Sequence, residues 1–157
     1  MEVTVRRATL EDCEALCDIH VSSIRELGGS HYLEAEVEAW ARGRTPARYE
    51  RLISEKHVVV AEHGSVPVGF GTLDVPTGEI VQLYVRPDCA RQGVGTLIID
   101  ELVRVVRAAG GRLVHCIASL NARPFYVSAG FEPGPMRKHR LRSGLEVDSI
   151  PMKKHLE

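Results

Sequence analysis

One stretch of about forty residues constrains the fold more than any other part of the sequence. The β-rich run EIVQLYV (79–85) is followed by an apolar helical stripe from Gly95 to Ala109 and then by a second β-rich run, RLVHCIA (112–118). A strand, a helix and a strand in this order predict a crossover connection between two parallel strands of one sheet. The chain must therefore contain a parallel strand pair.

The segments outside this stretch favour antiparallel pairing. The runs HVVVAEH, VPVGFGTLD and EIVQLYV are separated by the turn signals GS and PTG, which is typical of an antiparallel meander. A first strand near the N-terminus and three helices precede them, the helices over 9–27, 31–41 and 45–54. A short helix over 121–130 and two strands, over 131–141 and 146–153, follow the crossover. We predict one α+β (mixed α/β) domain over 1–157, with helices on both faces of a mixed sheet.

Composition and charge exclude several classes of partner. Twenty basic residues against 21 acidic ones give a formal net charge of −1, which provides no global attraction to nucleic acid or to an anionic membrane. No apolar run reaches the ~20 residues of a membrane span, and the N-terminus lacks a signal-peptide core, so we expect a cytoplasmic protein. Residues 155–157 resemble in part an expression-vector tail and receive no structural weight.

The four cysteines are expected to be reduced in that compartment. Cys13 and Cys17 lie one helical turn apart, but no further ligands follow at a spacing typical of zinc sites. We therefore expect no metal and interpret the two side chains as small hydrophobic residues on a buried helical face.

Two glycines one residue apart begin the helix of the crossover, in CARQGVGTLIID (89–100). The first N–H groups of a helix have no intrahelical partner and carry about half a positive charge, so a phosphate binds there readily. Ile98 excludes the dinucleotide fingerprint, and Gly95-Thr96-Leu97 does not match a Walker loop. Taken alone, the two glycines leave open both a phosphate site and a plain tight turn.

Two motifs, in this order, resemble those of the GNAT superfamily of N-acetyltransferases. The stretch EIVQLYVRPDCARQGVGTLIIDEL is similar to the family's acyl-CoA motif, and SLNARPFYVSAGFEP is similar to its C-terminal motif. The resemblance implies acetyl-CoA as cosubstrate, a GNAT-like, mostly antiparallel sheet of about seven strands, and a parallel strand pair that splays apart. Ala90 departs from the motif, because the family has Arg or Gln at that place and Arg91 follows one residue later. We therefore expect main-chain N–H groups of residues 91–96 to bind the diphosphate.

By this resemblance the pantetheine arm of acetyl-CoA lies between VQLYV and LVHCI. Backbone groups of Leu83 and Val85 would pair with its amides, as an added strand pairs with a sheet edge. The amide of Asn121 would hold the same arm, although Asn is also a preferred helix cap. The complete set of expected cofactor-binding residues is Leu83, Tyr84, Val85, Arg91, Gln92, Gly93, Val94, Gly95, Thr96, Asn121, Phe125 and Tyr126.

Tyr126 and Glu79 are the candidate catalytic residues. Tyr126 occupies the family position whose hydroxyl faces the thioester sulfur, which implies a general acid; the alternative is an aromatic side chain that only packs. Glu79 begins the central strand and would accept the amine proton, or it is a solvated turn residue. It shares strand parity with Val81, Leu83 and Val85 unless a bulge intervenes.

The acceptor side is the less informative part of the sequence. His20 is interpreted as a buried histidine, or as a wall of the acceptor pocket and a second candidate base. Tyr32 and Glu34 fall where the family builds its variable acceptor site and could meet a cationic substrate.

The function that the resemblance implies is direct acetyl transfer from acetyl-CoA to a primary amine of a small molecule, through a ternary complex. Two alternatives remain open. One is acetylation of a protein lysine or N-terminus, and the other is a non-catalytic acyl-CoA-binding module. A homodimer is also left open, since no segment of the sequence indicates an interface.

Overall fold

In a computed structural model, which describes residues 2–26, 32–140, 144 and 146–157, helices cover both faces of an eight-stranded mixed sheet. The strands are β1 (Thr4–Arg7), β2 (His57–His63), β3 (Val66–Asp74), β4 (Glu79–Val85), β5 (Leu113–Ser119), β6 (Glu132–Pro133), β7 (Arg137–Arg140) and β8 (Glu146–His155). The helices are α1 (Cys13–Arg25), α2 (Glu34–Ala41), α3 (Ala47–Glu55), α4 (Val94–Ala108) and α5 (Arg123–Ser128). The sheet order is β1-β2-β3-β4-β5-β8-β6, with β7 also paired to β8.

The α+β prediction is confirmed, including its mostly antiparallel pairing. The strand predicted over 131–141 is instead two strands, β6 and β7. Pro133 and Pro135 lack the N–H that a continuous ladder needs, and the intervening Gly134 donates to Pro151 O at 2.8 Å. The sheet therefore has eight strands where about seven were expected.

The end of the chain is structured, contrary to the expectation for 155–157. Leu156 is buried in the core beside α4, and its N–H donates to Arg112 O at 2.8 Å. This tail therefore carries structural weight.

Helix α4 packs closely on the sheet because β3 lacks side chains beneath it. A Cβ built on Gly71 would lie 2.7 Å from Ile98, and one on Gly69 would lie 3.1 Å from the same side chain. The buried stripe of α4 therefore contacts the β3 backbone. This contact fixes the position of the α4 N-terminus relative to the neighbouring strand β4.

The parallel pair β4–β5 meets at one end and then separates. Among the described residues its ladder consists of the single pair Glu79–His115, next to a hydrogen bond from His115 N to Gly78 O of 3.0 Å. Gly78 has φ +75°, and a Cβ there would lie 2.0 Å from Leu113 O. A β-bulge follows at Val81, since Ile80 and Gln82 of β4 face the consecutive residues Leu73 and Thr72 of β3. Beyond the bulge β4 and β5 are no longer paired, as the splayed-pair prediction requires.

The cysteine side chains all lie in the interior. Cys13 and Cys17 pack in the core between α1 and the sheet, which confirms their interpretation as small hydrophobic residues. Within the described ranges no three His, Cys, Asp or Glu side chains come together as metal ligands would. Over the same ranges no helix is both long and apolar enough to cross a membrane.

Candidate functional site

Three adjoining cavities cross the molecule along the gap between β4 and β5. The helix-end cavity, of about 470 Å³, lies at the N-terminus of α4. The seam cavity, of about 340 Å³, lies between the separated strands and shares Leu83, Val85 and Asn121 with it. The outer cavity, of about 330 Å³, lies beyond the bulge and shares Val81 and Ile117 with the seam cavity. Together they form one path from a helix N-terminus to Glu79.

The helix-end cavity is lined by main chain with unused donors. Gly93 caps α4 at φ 85°, and Leu97 N is the first amide of the helix to find an intrahelical acceptor, Gly93 O at 3.1 Å. The N–H groups of residues 94–96 precede it and are unpaired within the helix. Arg91 also lines this cavity, with φ 61°. Gln92 does not line it; its amide is turned back to Asp88 O at 3.5 Å.

The two glycines of this loop have different structural causes. A Cβ at Gly93 would meet nothing within 4 Å, so its positive φ is what requires glycine there. A Cβ at Gly95 would lie 3.0 Å from the Phe125 ring. The absence of a side chain at Gly95 therefore lets α5 pack against α4, while the space above Gly93 stays open.

In the seam cavity the exposed backbone belongs to Leu83 and Val85. Arg86 N donates to Val68 O of β3 at 2.7 Å, and backbone direction alternates along a strand, so Leu83 and Val85 direct their polar groups towards β5. The Ser23 hydroxyl donates to Val85 O at 2.9 Å. Ser23 was missed by sequence reasoning because it lies off the apolar stripe of α1, and only the fold brings it to β4.

Tyr126 lines the seam cavity from α5 and is 5% exposed. Its ring lies edge-on to Phe125 and Phe131, with centroids 5.2 Å apart in both cases. Burial, and next the neighbouring Cys116, raise the pKa of Tyr126 well above its usual range, and the two side chains share a hydrogen bond. Burial also raises the pKa of Cys116 to about 12. Both groups therefore hold their protons at neutral pH.

Asn121 lies in the 3₁₀ turn before α5 and lines both the helix-end and the seam cavities. Its alternative interpretation as the helix cap is wrong. Ser119 caps the turn, since its hydroxyl accepts a hydrogen bond from Ala122 N at 3.2 Å. The Asn121 side chain is thus not needed for capping.

The bulge at Val81 changes the face to which Glu79 belongs. Ile80, Leu83 and Val85 pack in the core beneath α4, whereas Glu79 lines the outer cavity together with Gln82. The expected parity of Glu79 with Leu83 and Val85 therefore does not hold, for the reason foreseen: one extra residue reverses the alternation. Tyr84 lines both the outer cavity and the seam cavity.

His20 is a wall of the outer cavity and is 1% exposed. Its Nδ1 lies 2.6 Å from the Tyr49 hydroxyl, and its ring stacks on Tyr84 with centroids 4.1 Å apart. Burial, reinforced by the charges of Arg44 and Arg48, lowers the pKa of His20 to about 3. A histidine with this pKa is neutral near pH 7 and is a weak base.

Neither Tyr32 nor Glu34 lines the outer cavity. The Tyr32 hydroxyl donates to Asp148 O at 2.8 Å and accepts from Leu120 N at 2.7 Å, so it ties the segment before α2 to β8 and to the turn after β5. Glu34 is exposed on the first turn of α2.

Arg44 lines the outer cavity instead, from the loop between α2 and α3. It was missed because no short-range pattern in ARGRTPAR distinguishes one arginine from the next.

Comparisons with known proteins agree with this architecture. The model of the acetyltransferase (GNAT) domain matches residues 29–156. An uncharacterized N-acetyltransferase of Methanocaldococcus jannaschii is 26% identical over 151 residues; the match covers 88% of this chain and 65% of that protein's length. The chain thus spans less than two thirds of this relative.

Solved structures extend the similarity to the whole fold. A GCN5-related N-acetyltransferase from Rhodopseudomonas palustris, described as an aminotransferase of class II, is 30% identical with a TM-score of 0.92, over 99% of this chain and 97% of that one. The PaiA N-acetyltransferase from Thermoplasma acidophilum, in complex with coenzyme A, is 18% identical with a TM-score of 0.79, over 99% of each chain. On the match to the family model and the strand separation between β4 and β5, this chain belongs to the GNAT acetyltransferase family.

Proposed function

We propose that this protein is an N-acetyltransferase that moves an acetyl group from acetyl-CoA directly to a primary amine of a small molecule. One observation carries the proposal: the gap between β4 and β5 connects unpaired N–H groups at the α4 N-terminus to a cavity that contains a carboxylate, Glu79. A diphosphate-bearing thioester and an amine would approach each other from opposite ends of that gap.

The residues present fit coenzyme A. The N–H groups of residues 94–96 suit a diphosphate, and the open space at Gly93 leaves room for it. The backbone of Leu83, on an unpaired strand edge, suits an amide-containing arm. A relative of the same fold, PaiA, was solved with coenzyme A, which supports the same ligand here.

The chemistry divides between two side chains. Acetyl-CoA supplies the activated acetyl group as a thioester. The Glu79 carboxylate, for which the described residues provide no hydrogen-bond partner, would accept the proton of the amine in the outer cavity. Tyr126 retains its proton at neutral pH and would donate it to the departing sulfur of coenzyme A. A free thiol has a pKa of about 8.5, so the departing thiolate takes up a proton near neutral pH.

The size of the outer cavity favours a small acceptor. Its volume of about 330 Å³ lies at the lower end of the range of ligand pockets, about 300–1,000 Å³. A protein substrate would instead need an open surface beside the cavity for its flanking residues.

A thiol-release assay tests the proposal. The protein is incubated with acetyl-CoA and a panel of small amines and lysine peptides while free thiol is measured. Release with small amines is expected, and release with peptides alone would indicate a protein acetyltransferase. Acetyl-CoA at 100 times its Kd should also stabilise the fold by about 2.7 kcal/mol. A thermal shift without thiol release for any acceptor would indicate a binding module and contradict the proposal.

The Glu79→Gln variant tests the proposed base. We expect kcat/KM to fall by about 100-fold or more, because an amide cannot take up the proton, while acetyl-CoA affinity is unchanged. The measurement is a pH–rate profile with a dissociation constant for acetyl-CoA. Glu132→Gln, an exposed residue of β6, is the matched control. A Glu79→Gln profile that matches the wild type would assign the base to water or to another residue.

A further inference from the structure

The outer cavity contains a cation whose buried nitrogen lacks a partner. Arg44 lines the cavity, and its Nε is buried without a hydrogen-bond acceptor among the described residues. No carboxylate in the described part of the chain forms an ion pair with it. The opposite charge in the same cavity, Glu79, belongs to β4 and is likewise unpaired in the described residues. A buried guanidinium N–H without an acceptor is costly, and an anionic ligand group would remove that cost.

A second unpartnered donor lies in the same wall. His20 is only 1% exposed, and its Nε2 atom is buried. This nitrogen has no hydrogen-bond partner among the described residues. The charge of Arg44 contributes to lowering the pKa of His20, so the two groups are near enough to interact.

The hydrogen bond with Tyr49 determines which nitrogen of His20 carries the proton. Tyr49 is buried, and His20 Nδ1 is the one acceptor that the described residues offer its hydroxyl. The Tyr49 O–H therefore donates to Nδ1, because the opposite arrangement would leave both the hydroxyl hydrogen and the Nε2 lone pair unsatisfied. Neutral His20 thus holds its proton at Nε2, which makes Nε2–H a donor.

We propose that the acetyl acceptor carries a carboxylate as well as its amine, and that Arg44, with His20 Nε2–H, binds this carboxylate while the amine lies towards Glu79. A carboxylate would satisfy both donors at once, and a guanidinium matches its planar geometry. The cavity volume of about 330 Å³ is large enough for a free amino acid. This inference rests on the proposed function and reverses the expectation of a cationic acceptor that Tyr32 and Glu34 suggested.

The experiment uses matched acceptors that differ only in the acid group. Thiol release from acetyl-CoA is measured for the common α-amino acids, for their α-carboxamides and for the corresponding decarboxylated amines. We expect at least one amino acid to exceed its carboxamide and its decarboxylated amine in kcat/KM by about 100-fold or more, because both alternatives leave the two donors without an anion.

Variants at Arg44 connect this preference to the residue. Arg44→Gln should raise KM for the preferred amino acid by about 10- to 100-fold and bring the ratio between acid and carboxamide close to one. Arg44→Lys should retain part of the preference, because it keeps the charge without the planar donor pair. Arg51→Gln is the matched control: Arg51 is an exposed arginine of α3 that is paired with Glu55, and it does not line the outer cavity. Thermal unfolding of each variant establishes that it is folded.

The outcomes separate this inference from the proposed function. Thiol release with amines or carboxamides at rates equal to the acids would overturn the carboxylate inference and leave acetyl transfer intact. An unchanged acid preference in Arg44→Gln, or an equal loss in Arg51→Gln, would overturn the role of Arg44. A thermal shift with acetyl-CoA but no thiol release for any acceptor would overturn the proposed function and the inference with it.

Discussion

The three cavities along the gap between β4 and β5 form one groove. Its donor half, the helix-end and seam cavities, and its acceptor half, the outer cavity, are built from different parts of the polypeptide. The donor half, from β4 to α5, presents main-chain groups: the N–H groups at the start of α4 and the open edge of β4. The acceptor half presents side chains that come from α1, from the α2–α3 loop and from β4, such as His20, Arg44 and Glu79. In the proposed function, the donor half would bind acetyl-CoA through main-chain groups, and the acceptor half would select the amine through its side chains.

This difference explains which features are local in sequence. Main-chain recognition needs a particular backbone path, and that path is encoded by glycines and turns within one continuous stretch. Side-chain recognition needs residues that are far apart in sequence to meet. We therefore expect substitutions in the donor half to act through backbone geometry and those in the acceptor half to act through individual polar contacts.

The largest expected effect is at Gly78, where the parallel strands meet. Gly78→Ala should lower the free energy of unfolding by about 4 kcal/mol and abolish acetyl-CoA binding, because the new Cβ collides with Leu113 O and the residue keeps a positive φ. Urea unfolding and a ligand-induced thermal shift measure the two effects.

Gly64→Ala separates the collision from the backbone strain. Gly64 has φ +62°, and a Cβ there meets nothing within 4 Å. Gly64→Ala should therefore lower the free energy of unfolding by only about 1–2 kcal/mol. Equal losses at the two positions would show that strain alone matters, and that the contact between β4 and β5 does not fix the groove.

The next effect is on the chemical step. Tyr126→Phe should lower kcat by about 10- to 1000-fold with little change in acetyl-CoA affinity, since only the hydroxyl is removed. Tyr32→Phe is the matched control: Tyr32 does not line the outer cavity, and its hydroxyl ties the segment before α2 to β8 and to the turn after β5, so stability should fall while kcat is retained. Steady-state kinetics and urea unfolding on both variants make the comparison. Unchanged turnover in Tyr126→Phe would leave Tyr126 a packing residue that contacts Cys116.

The sequence was sufficient to predict the separated strand pair and the loop before α4, because the signals for both are short-range. The alternating runs, the glycines before α4 and the segment around Tyr126 each lie within one stretch of chain, and the fold places them along one groove. The sequence analysis named a bulge as a condition, but its position at Val81 was not predictable, because it depends on the register between β3 and β4. That single residue decides the face of Glu79.

The acceptor half was predicted less well for the complementary reason. Tyr32 and Glu34 were chosen by their position in the chain, and the fold uses Tyr32 as an internal tie instead. His20 was correctly expected to be buried, but its bond to Tyr49, 29 residues away, is a tertiary contact. Arg44 carries no sequence signal of its own.

A smaller effect tests why the α4 loop contains its second glycine. Gly95→Ala should cost about 1–2 kcal/mol of stability, since the new methyl group lies 3.0 Å from the Phe125 ring. Adding Phe125→Leu to Gly95→Ala should restore part of the lost stability. Adding Phe125→Leu to Gly93→Ala should restore none, because the cost of Gly93→Ala is backbone strain. Thermal unfolding of the three single variants and the two double variants completes both cycles. A lack of rescue at Gly95 would assign this glycine to ligand approach alone.

The smallest expected effect is the acid sensitivity of the acceptor half. The folded pKa of His20, about 3, lies below its usual value near 6.5, so the unfolded chain binds more protons between these pH values. The stability that neutral His20 contributes is complete above pH 6.5 and is lost as the pH falls towards 3, by up to about 1.4 kcal/mol per pH unit. His20→Phe removes this proton uptake, so its unfolding free energy should fall less steeply from pH 6.5 to 5 than that of the wild type. Leu10→Phe, at an exposed position without a titratable side chain, should keep the wild-type slope. Equal slopes for His20→Phe and the wild type would mean that His20 takes up its proton as readily in the folded state as in the unfolded state, and would contradict the lowered pKa of His20.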